Sequence, residues 1–266
     1  MTAAPGFHTA AYDWPVSQDW PEPVSLINPE GASDVVLICE HASNHMPAEY
    51  QGLGLEEPDL TRHIAWDIGA EDVARRLSAR LDAPLFVAHY SRLLIDLNRP
   101  HAAMSAFPEL SESTVIPGNV ALDMAERTRR IARIFTPFHA RIAGVLNQRQ
   151  ATGRPTLLIS IHSFTPVYKG VTRPWHIGIL YGEAARAGEA MVAQLAADPA
   201  LCVGTNEPYQ IETDSDYAIP VHGDQRGIPA LLVELRNDLI ATSAGAEEWA
   251  DRLAAVIPAL AAEARS

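Results

Sequence analysis

Read as alternating apolar and polar stretches, the chain contains several short, continuous apolar runs set between longer segments of helical spacing. Residues 34–40 (DVVLICE), 84–88 (PLFVA), 92–97 (RLLIDL), 156–161 (TLLISI), 176–181 (HIGILY) and 230–235 (ALLVEL) read as strands buried on both faces. Helical spacing runs through 60–81, with Ile64, Ile68, Val73 and Leu77 on one side. It returns in 122–150, interrupted at Pro137, and in the Ala-rich segments 182–197 and 247–262. Residues 101–120 and 214–226 lack a period and read as loops, and the first 30 residues, rich in Pro and aromatics, read as an extended arm. Strands alternating with helices predict a three-layer α/β/α domain around a mostly parallel or mixed sheet, spanning 1–266 as one domain.

In such sheets ligands gather at the carboxyl ends of the strands. The titratable residues fall there: Glu40 and His41, Asp96 to Arg99, His162, and Glu234. Polarity returns at any strand end, but the residue types are selective. Metal hydrolases need neutral imidazoles and carboxylates on the ion, and a further carboxylate to take and return a proton. His41, His162 and Glu234 supply those types from three strands.

The net charge of −13, from 20 basic and 33 acidic residues, opposes binding to a polyphosphate backbone. An anionic substrate therefore requires a local basic pocket. Two cysteines, Cys39 and Cys202, form no disulfide framework, and no apolar run approaches the roughly 20 residues of a membrane span. The first residues carry no recognisable export signal, so a cytoplasmic location is expected. The sequence leaves homo-oligomerisation open. No G-x-S-x-G or G-x-G-x-x-G word occurs, which disfavours serine hydrolases and dinucleotide enzymes.

The words SIHSF (160–164), IDLNR (95–99) and VELR (233–236) resemble, in the same order, motifs of the zinc carboxypeptidase superfamily. That resemblance implies a metal-ligand role for His162, substrate-carboxylate binding for Asn98 and Arg99, and a general base and acid role for Glu234. HASNHMP (41–47), HIAWDIGA (63–70), SRLLIDLNRP (91–100) and HGDQRGIPALLVELR (222–236) are together more similar to the N-formylglutamate amidohydrolase family. The family resemblance implies one zinc ion, His41 as a ligand, a part for His222 near the reacting carbonyl, and a small anionic N-acyl amino acid as substrate.

The carboxypeptidase pattern has a metal-binding Glu three residues after the first His, where this chain has Asn44. Three arrangements are open: Asp67 as the third ligand, Asn44 through its carbonyl, or two protein ligands alone. Asp67 is preferred because a carboxylate best offsets a dication. Arginine grips carboxylates through two parallel hydrogen bonds. Arg92 and Arg236 are therefore further candidate handles, Arg92 sharing a strand face with Asp96 and Arg236 with Glu234; the competing readings are a solvated edge residue for Arg92 and pairing with Asp238 alone for Arg236. Tyr217 reads equally as a loop anchor or a donor to a tetrahedral intermediate. The expected reaction is hydrolysis of N-formyl-L-glutamate. Removal of another acyl group, peptidase activity, and a non-catalytic ligand-binding protein on the same scaffold are the competing readings.

Overall fold

A computed structural model describes residues 17–263. Seven strands form one mixed sheet: β1 (Val24–Ile27), β2 (Val35–Cys39), β3 (Leu85–Ala88), β4 (Leu157–Phe164), β5 (Ile177–Leu180), β6 (Val203–Thr205) and β7 (Ala230–Arg236). Their order across the sheet is β1-β3-β2-β4-β7-β5-β6. The four central strands, β3, β2, β4 and β7, are parallel, whereas β1 runs antiparallel to β3, and β5 antiparallel to β7. The helices are α1 (Ala70–Leu81), α2 (Met124–Arg130), α3 (Thr136–Ala151), α4 (Ala185–Leu195) and α5 (Ser243–Glu263).

Alternation along the strands builds two cores. Val35, Leu37 and Cys39 of β2, Leu157, Ile159 and Ile161 of β4, and Leu231, Val233 and Leu235 of β7 pack under α1, α4 and α5. Val36, Ile38, Leu158, Ala230 and Leu232 face the opposite layer, filled by α3 and the long connection before it. This is the three-layer α/β/α arrangement expected from the pattern. Because both faces are covered, the central strands read as unbroken apolar runs.

The second face changes character along the strands. Continuing the alternation beyond Ile38, Leu158 and Leu232 brings Glu40, Ser160, His162 and Glu234 to that same side. The β4–β7 register pairs Glu234 with His162 and Leu232 with Ser160. His162 and Glu234 thus lie inside their strands, not just after them, and a parallel ladder fixes them side by side.

Several expected boundaries move. The run 92–97 is no strand: it winds through turns, yet all of it except half-buried Arg92 is buried in the second core. Its backbone is satisfied by other means than a ladder. Asn119 donates to the Leu93 carbonyl (2.8 Å), Arg130 to that of Leu94 (3.0 Å), and Asp96 N–H to that of Ala106 (2.8 Å). A short apolar run has the same periodicity in either setting. The expected helix at 60–81 begins only at Ala70, after Gly69 at φ 80°. His63 and Asp67 consequently do not share a helical face. The segment 122–150 is continuous, with a π-helical turn at Ile131–Phe135 that admits Pro137 just inside α3. Of the expected arm, residues 1–16 lie outside the described residues, and the remainder contributes edge strand β1. The expected loops contain local structure: a two-stranded hairpin, Leu110–Ser111 with Thr114–Val115, and a π-helical turn at Ala218–Gly223. No helix among the described residues is long and apolar enough to cross a membrane.

Gly69 holds the bend between Asp67 and α1, and a Cβ there would stand 2.3 Å from the Ile240 carbonyl oxygen. Both the left-handed backbone and the lack of room oppose a side chain. Gly69→Ala is expected to lower unfolding free energy by about 2 kcal/mol or more, read from urea melts. A change below about 0.5 kcal/mol would show that the bend tolerates a Cβ.

Candidate active site

The carboxyl ends of β2, β4 and β7 open into a cavity of about 580 Å³ whose lining includes His41, Asp67, Arg92, Asp96, Asn98, Arg99, His162 and Glu234. Its floor is a cluster of buried ionisable groups. The Nδ1 atoms of His41 and His162 both face Asp67 Oδ2, at 3.3 and 2.8 Å. One ligand-capable atom from each of the three side chains lies within 4.8 Å of the others.

The outer ring nitrogens meet further carboxylates. His41 Nε2 is 2.8 Å from Asp96 Oδ1. His162 Nε2 is 3.2 Å from Glu40 Oε2, an ion-pair contact without hydrogen-bond alignment. Ser160 Oγ donates to the same Glu40 oxygen at 2.6 Å. Asp96 also accepts from Asn98 N–H at 2.9 Å and from Arg92 at 2.6 Å, so it acts as an ionised acceptor. Asp96 thereby holds the Nε2 proton of His41 and leaves its Nδ1 to face Asp67 Oδ2, and His162 turns its Nδ1 to the same oxygen.

Two imidazole nitrogens converging on one carboxylate oxygen need a positive charge among them, either a proton or a metal ion. Burial would depress the His162 imidazole, yet the Glu40 charge and the contacts with Asp67 and Glu40 raise it well above its ordinary value. Burial would raise Asp67 and Asp96, yet His41 acts to lower Asp67, and Arg92 then His41 hold Asp96 well below the usual carboxylate range. Glu40, Asp67 and Asp96 are three buried carboxylates at this floor, and the Arg92 guanidinium pairs with two of them, Asp67 and Asp96. The carboxylates at this floor outnumber its guanidinium, a surplus that suits a bound cation, and the nitrogen–oxygen donor set fits zinc.

Glu234 is placed differently. It is buried, its Oε2 has no hydrogen-bond partner, and burial pushes its carboxyl up to about 7, with Asp67 adding to the shift. A carboxyl near neutrality beside a cation-seeking cluster is suited to exchanging protons.

Residues 33–241 match the family model for N-formylglutamate amidohydrolase. The chain belongs to this family. A crystal structure of a gene product from Agrobacterium tumefaciens shares 38% identity and a TM-score of 0.90, covering 94% of this chain and 99% of that one. The N-formylglutamate amidohydrolase of Ralstonia eutropha has the same fold, with a TM-score of 0.65 at 18% identity over 92% of this chain and 98% of that one. No curated protein sequence matches the chain.

Within this amidohydrolase fold, the sequence candidates separate into two groups. His41, Asp67, His162, Glu234, Arg92, Asn98 and Arg99 converge on the cavity. Asn98 Oδ1 accepts from the N–H groups of Tyr217 and Ala218, at 3.2 and 2.9 Å, which leaves its NH2 group to donate. Arg99 bonds Asp216 Oδ1 and the Ser215 carbonyl, both at 2.7 Å. Asn44 is turned away, donating to the Leu60 carbonyl at 2.9 Å, so the carboxylate beside the imidazoles is that of Asp67. Arg236 and His222 are not brought to the cavity lining. Arg236 pairs with Asp238 at 2.8 Å. His222 Nε2 meets His139 Nδ1 at 2.9 Å, and Tyr217 packs tilted against His139 with ring centroids 4.3 Å apart.

Sequence reasoning gave no role to Glu40, Asp96, His63 or Tyr209. Glu40 and Asp96 sat beside candidate residues in their own words, and a search for carboxylates behind metal-binding histidines would have found both. His63 lines the cavity and meets Glu112 at 3.3 Å. Tyr209, on a connection without periodicity, gave no signal.

The His139–His222 pair makes its own prediction. His139 Nε2 donates to the Leu97 carbonyl at 2.9 Å, so its Nδ1 accepts from His222 and both rings are neutral. Burial holds His139 well below its ordinary value, helped by His222, and lowers His222 to about 3, helped by Arg226. The unfolded chain therefore binds more protons below an ordinary histidine value of about 6.5, and stability falls as pH drops from there toward about 3. In His222→Gln, the loss of unfolding free energy between about pH 7 and about pH 5 is expected to shrink by about 2 kcal/mol. Parallel pH dependence in the two proteins, measured by denaturant melts, would contradict the neutral pair.

Proposed function

We propose that this protein is a metal-dependent amidohydrolase that cleaves N-formyl-L-glutamate to formate and glutamate. The observation that carries the reading is the placement of an unpartnered buried carboxyl, Glu234, in register with His162 and next to the His41–Asp67–His162 cluster. His41 Nδ1, His162 Nδ1 and Asp67 Oδ2 would hold one zinc ion, with Asp96 and Glu40 behind the imidazoles. When bound, the ion supplies Lewis-acid polarisation of the acyl carbonyl and makes a water easier to deprotonate.

The residues of the chain do the rest. Glu234 takes the proton of the attacking water and returns it to the departing amine nitrogen. A carboxyl value near neutrality serves both halves of that transfer. Asn98, through its free NH2, and Arg99 bind the α-carboxylate. Arg92, pinned between Asp67 and Asp96 at 3.2 and 2.6 Å, holds the acids of the cluster ionised and adds positive potential where the oxyanion develops. His222 and Arg236 have no part in this account. The cavity of about 580 Å³ exceeds what a formyl group and one amino acid fill, which favours a longer N-acyl amino acid as the second reading.

The test compares N-formyl, N-acetyl and N-succinyl forms of glutamate and aspartate as substrates, with metal content measured in parallel. Hydrolysis should be fastest with N-formyl-L-glutamate, vanish on chelation, and return with added zinc. Full activity in protein stripped of metal would sink the proposal. Glu234→Gln should keep its zinc and bind L-glutamate, while kcat falls by about 10³-fold or more. If kcat stays within about tenfold of the parent, the proton shuttle lies elsewhere.

A further inference from the structure

The two arginines of the cavity lining are already matched to acids: Arg92 to Asp67 and Asp96, and Arg99 to Asp216. A third guanidinium stands behind the wall without such a partner. The hairpin Val167–Tyr168 with Val171–Thr172 turns through Lys169 and Gly170, both at positive φ (49° and 80°), as a two-residue primed turn requires. Arg173 follows directly, its N–H bonded to the Pro166 carbonyl at 2.8 Å. Its side chain is held among aromatic rings, with Cζ 4.6 Å from the Tyr168 centroid, 4.8 Å from Tyr209 and 5.8 Å from Phe164.

Arg173 is only 7% exposed, and its Nη1 is buried with no hydrogen-bond partner. Among the described residues no carboxylate reaches ion-pair distance of it. Ring faces offset part of the cost of burying a cation but leave in-plane N–H groups unsatisfied. Tyr168 and Tyr209 both line the cavity. Burial and then the Glu234 charge raise the Tyr209 phenol, and Arg173 acts to lower it by its charge and a side-chain hydrogen bond. Tyr209, 42% exposed, is the thinner part of the cover.

We propose that Arg173 selects an acidic side chain, receiving the distal carboxylate of the substrate in the seam between Tyr168 and Tyr209. The proposal rests on the amidohydrolase reading, and deepens it by dividing the substrate between two handles. Asn98 and Arg99 take the α-carboxylate on one side of the cluster, and Arg173 takes the second carboxylate on the other. Around an otherwise acid-rich cavity, whose lining includes Glu112, Glu212 and Asp216, an unmatched guanidinium is the feature that makes a dianion preferable to a monoanion. The planar fork also suits a carboxylate better than an ammonium would.

The test uses zinc-loaded enzyme and a matched pair of substrates, N-formyl-L-glutamate and N-formyl-L-glutamine, nearly equal in size and differing in one charge. In Arg173→Gln, kcat/KM for the glutamate compound should fall about 100-fold, chiefly through KM, while the glutamine compound changes by less than about threefold. Arg173→Lys, which keeps the charge without the fork, should lose about tenfold on the glutamate compound alone. It carries the test if the Gln variant does not fold. Equal losses on both substrates, or an unaltered preference, would overturn the proposal. Calorimetric binding of glutarate and of glutaramate, its monoamide, to the same proteins separates this inference from the reaction assignment. If the parent enzyme turns over neither substrate, the reaction assignment fails. A glutarate preference abolished in the variant would still support Arg173, and a preference that is absent or unchanged would refute it.

Discussion

The centre of this molecule is one carboxylate. Asp67 Oδ2 receives His41 and His162 from two different strand ends and the Ser163 N–H at 3.2 Å, while Oδ1 receives Arg92 at 3.2 Å. The segments that carry His41, Arg92 and His162 are thereby tied to one buried acid. Such a group is costly to bury unless every lone pair is met by charge or a donor. That constraint explains why the neighbours are so specific. Two imidazoles must turn Nδ1 toward it, further carboxylates must face their outer nitrogens, and a guanidinium must balance part of the resulting charge.

The sheet makes this arrangement possible by converting sequence alternation into a change of chemistry along one face. Ile38, Leu158 and Leu232 begin that face as core, and Glu40, Ser160, His162 and Glu234 end it as site. The opposite face stays apolar to the strand ends, so α1, α4 and α5 hold the strands while the second layer hosts the reacting groups. The turn-rich segment 91–120 completes that layer, its carbonyls met by Asn119 and Arg130 instead of by a neighbouring strand.

Much of this was legible in the chain. Apolar runs bounded by titratable residues located β2, β4 and β7, and the words around His41, Asp67, Asn98, Arg99, His162 and Glu234 marked residues that do converge. What stayed hidden had physical causes. The run at 92–97 has the hydrophobicity of a strand, but its hydrogen bonds go to side chains, which leave no periodic trace. For Arg236 the sequence left two readings open, a handle beside Glu234 or a partner for Asp238, and only the fold selects the second. His222 carried a family word but is sequestered by His139, a contact 83 residues away in the chain that no local pattern encodes. Glu40 and Asp96 were in view as strand-end polarity, and only the direction of the imidazole rings gives them work.

The ladder between β4 and β7 has a wider consequence. Because His162 and Glu234 are registered by main-chain hydrogen bonds, the spacing between the cation-seeking cluster and the proton-exchanging group is a property of the backbone. The hairpins at 110–115 and 167–172 and the stretch 206–216 that wall the cavity carry no part of that spacing. Chains of this architecture are therefore free to alter what they admit by rewriting surface connections, with the bond-breaking centre left undisturbed beneath.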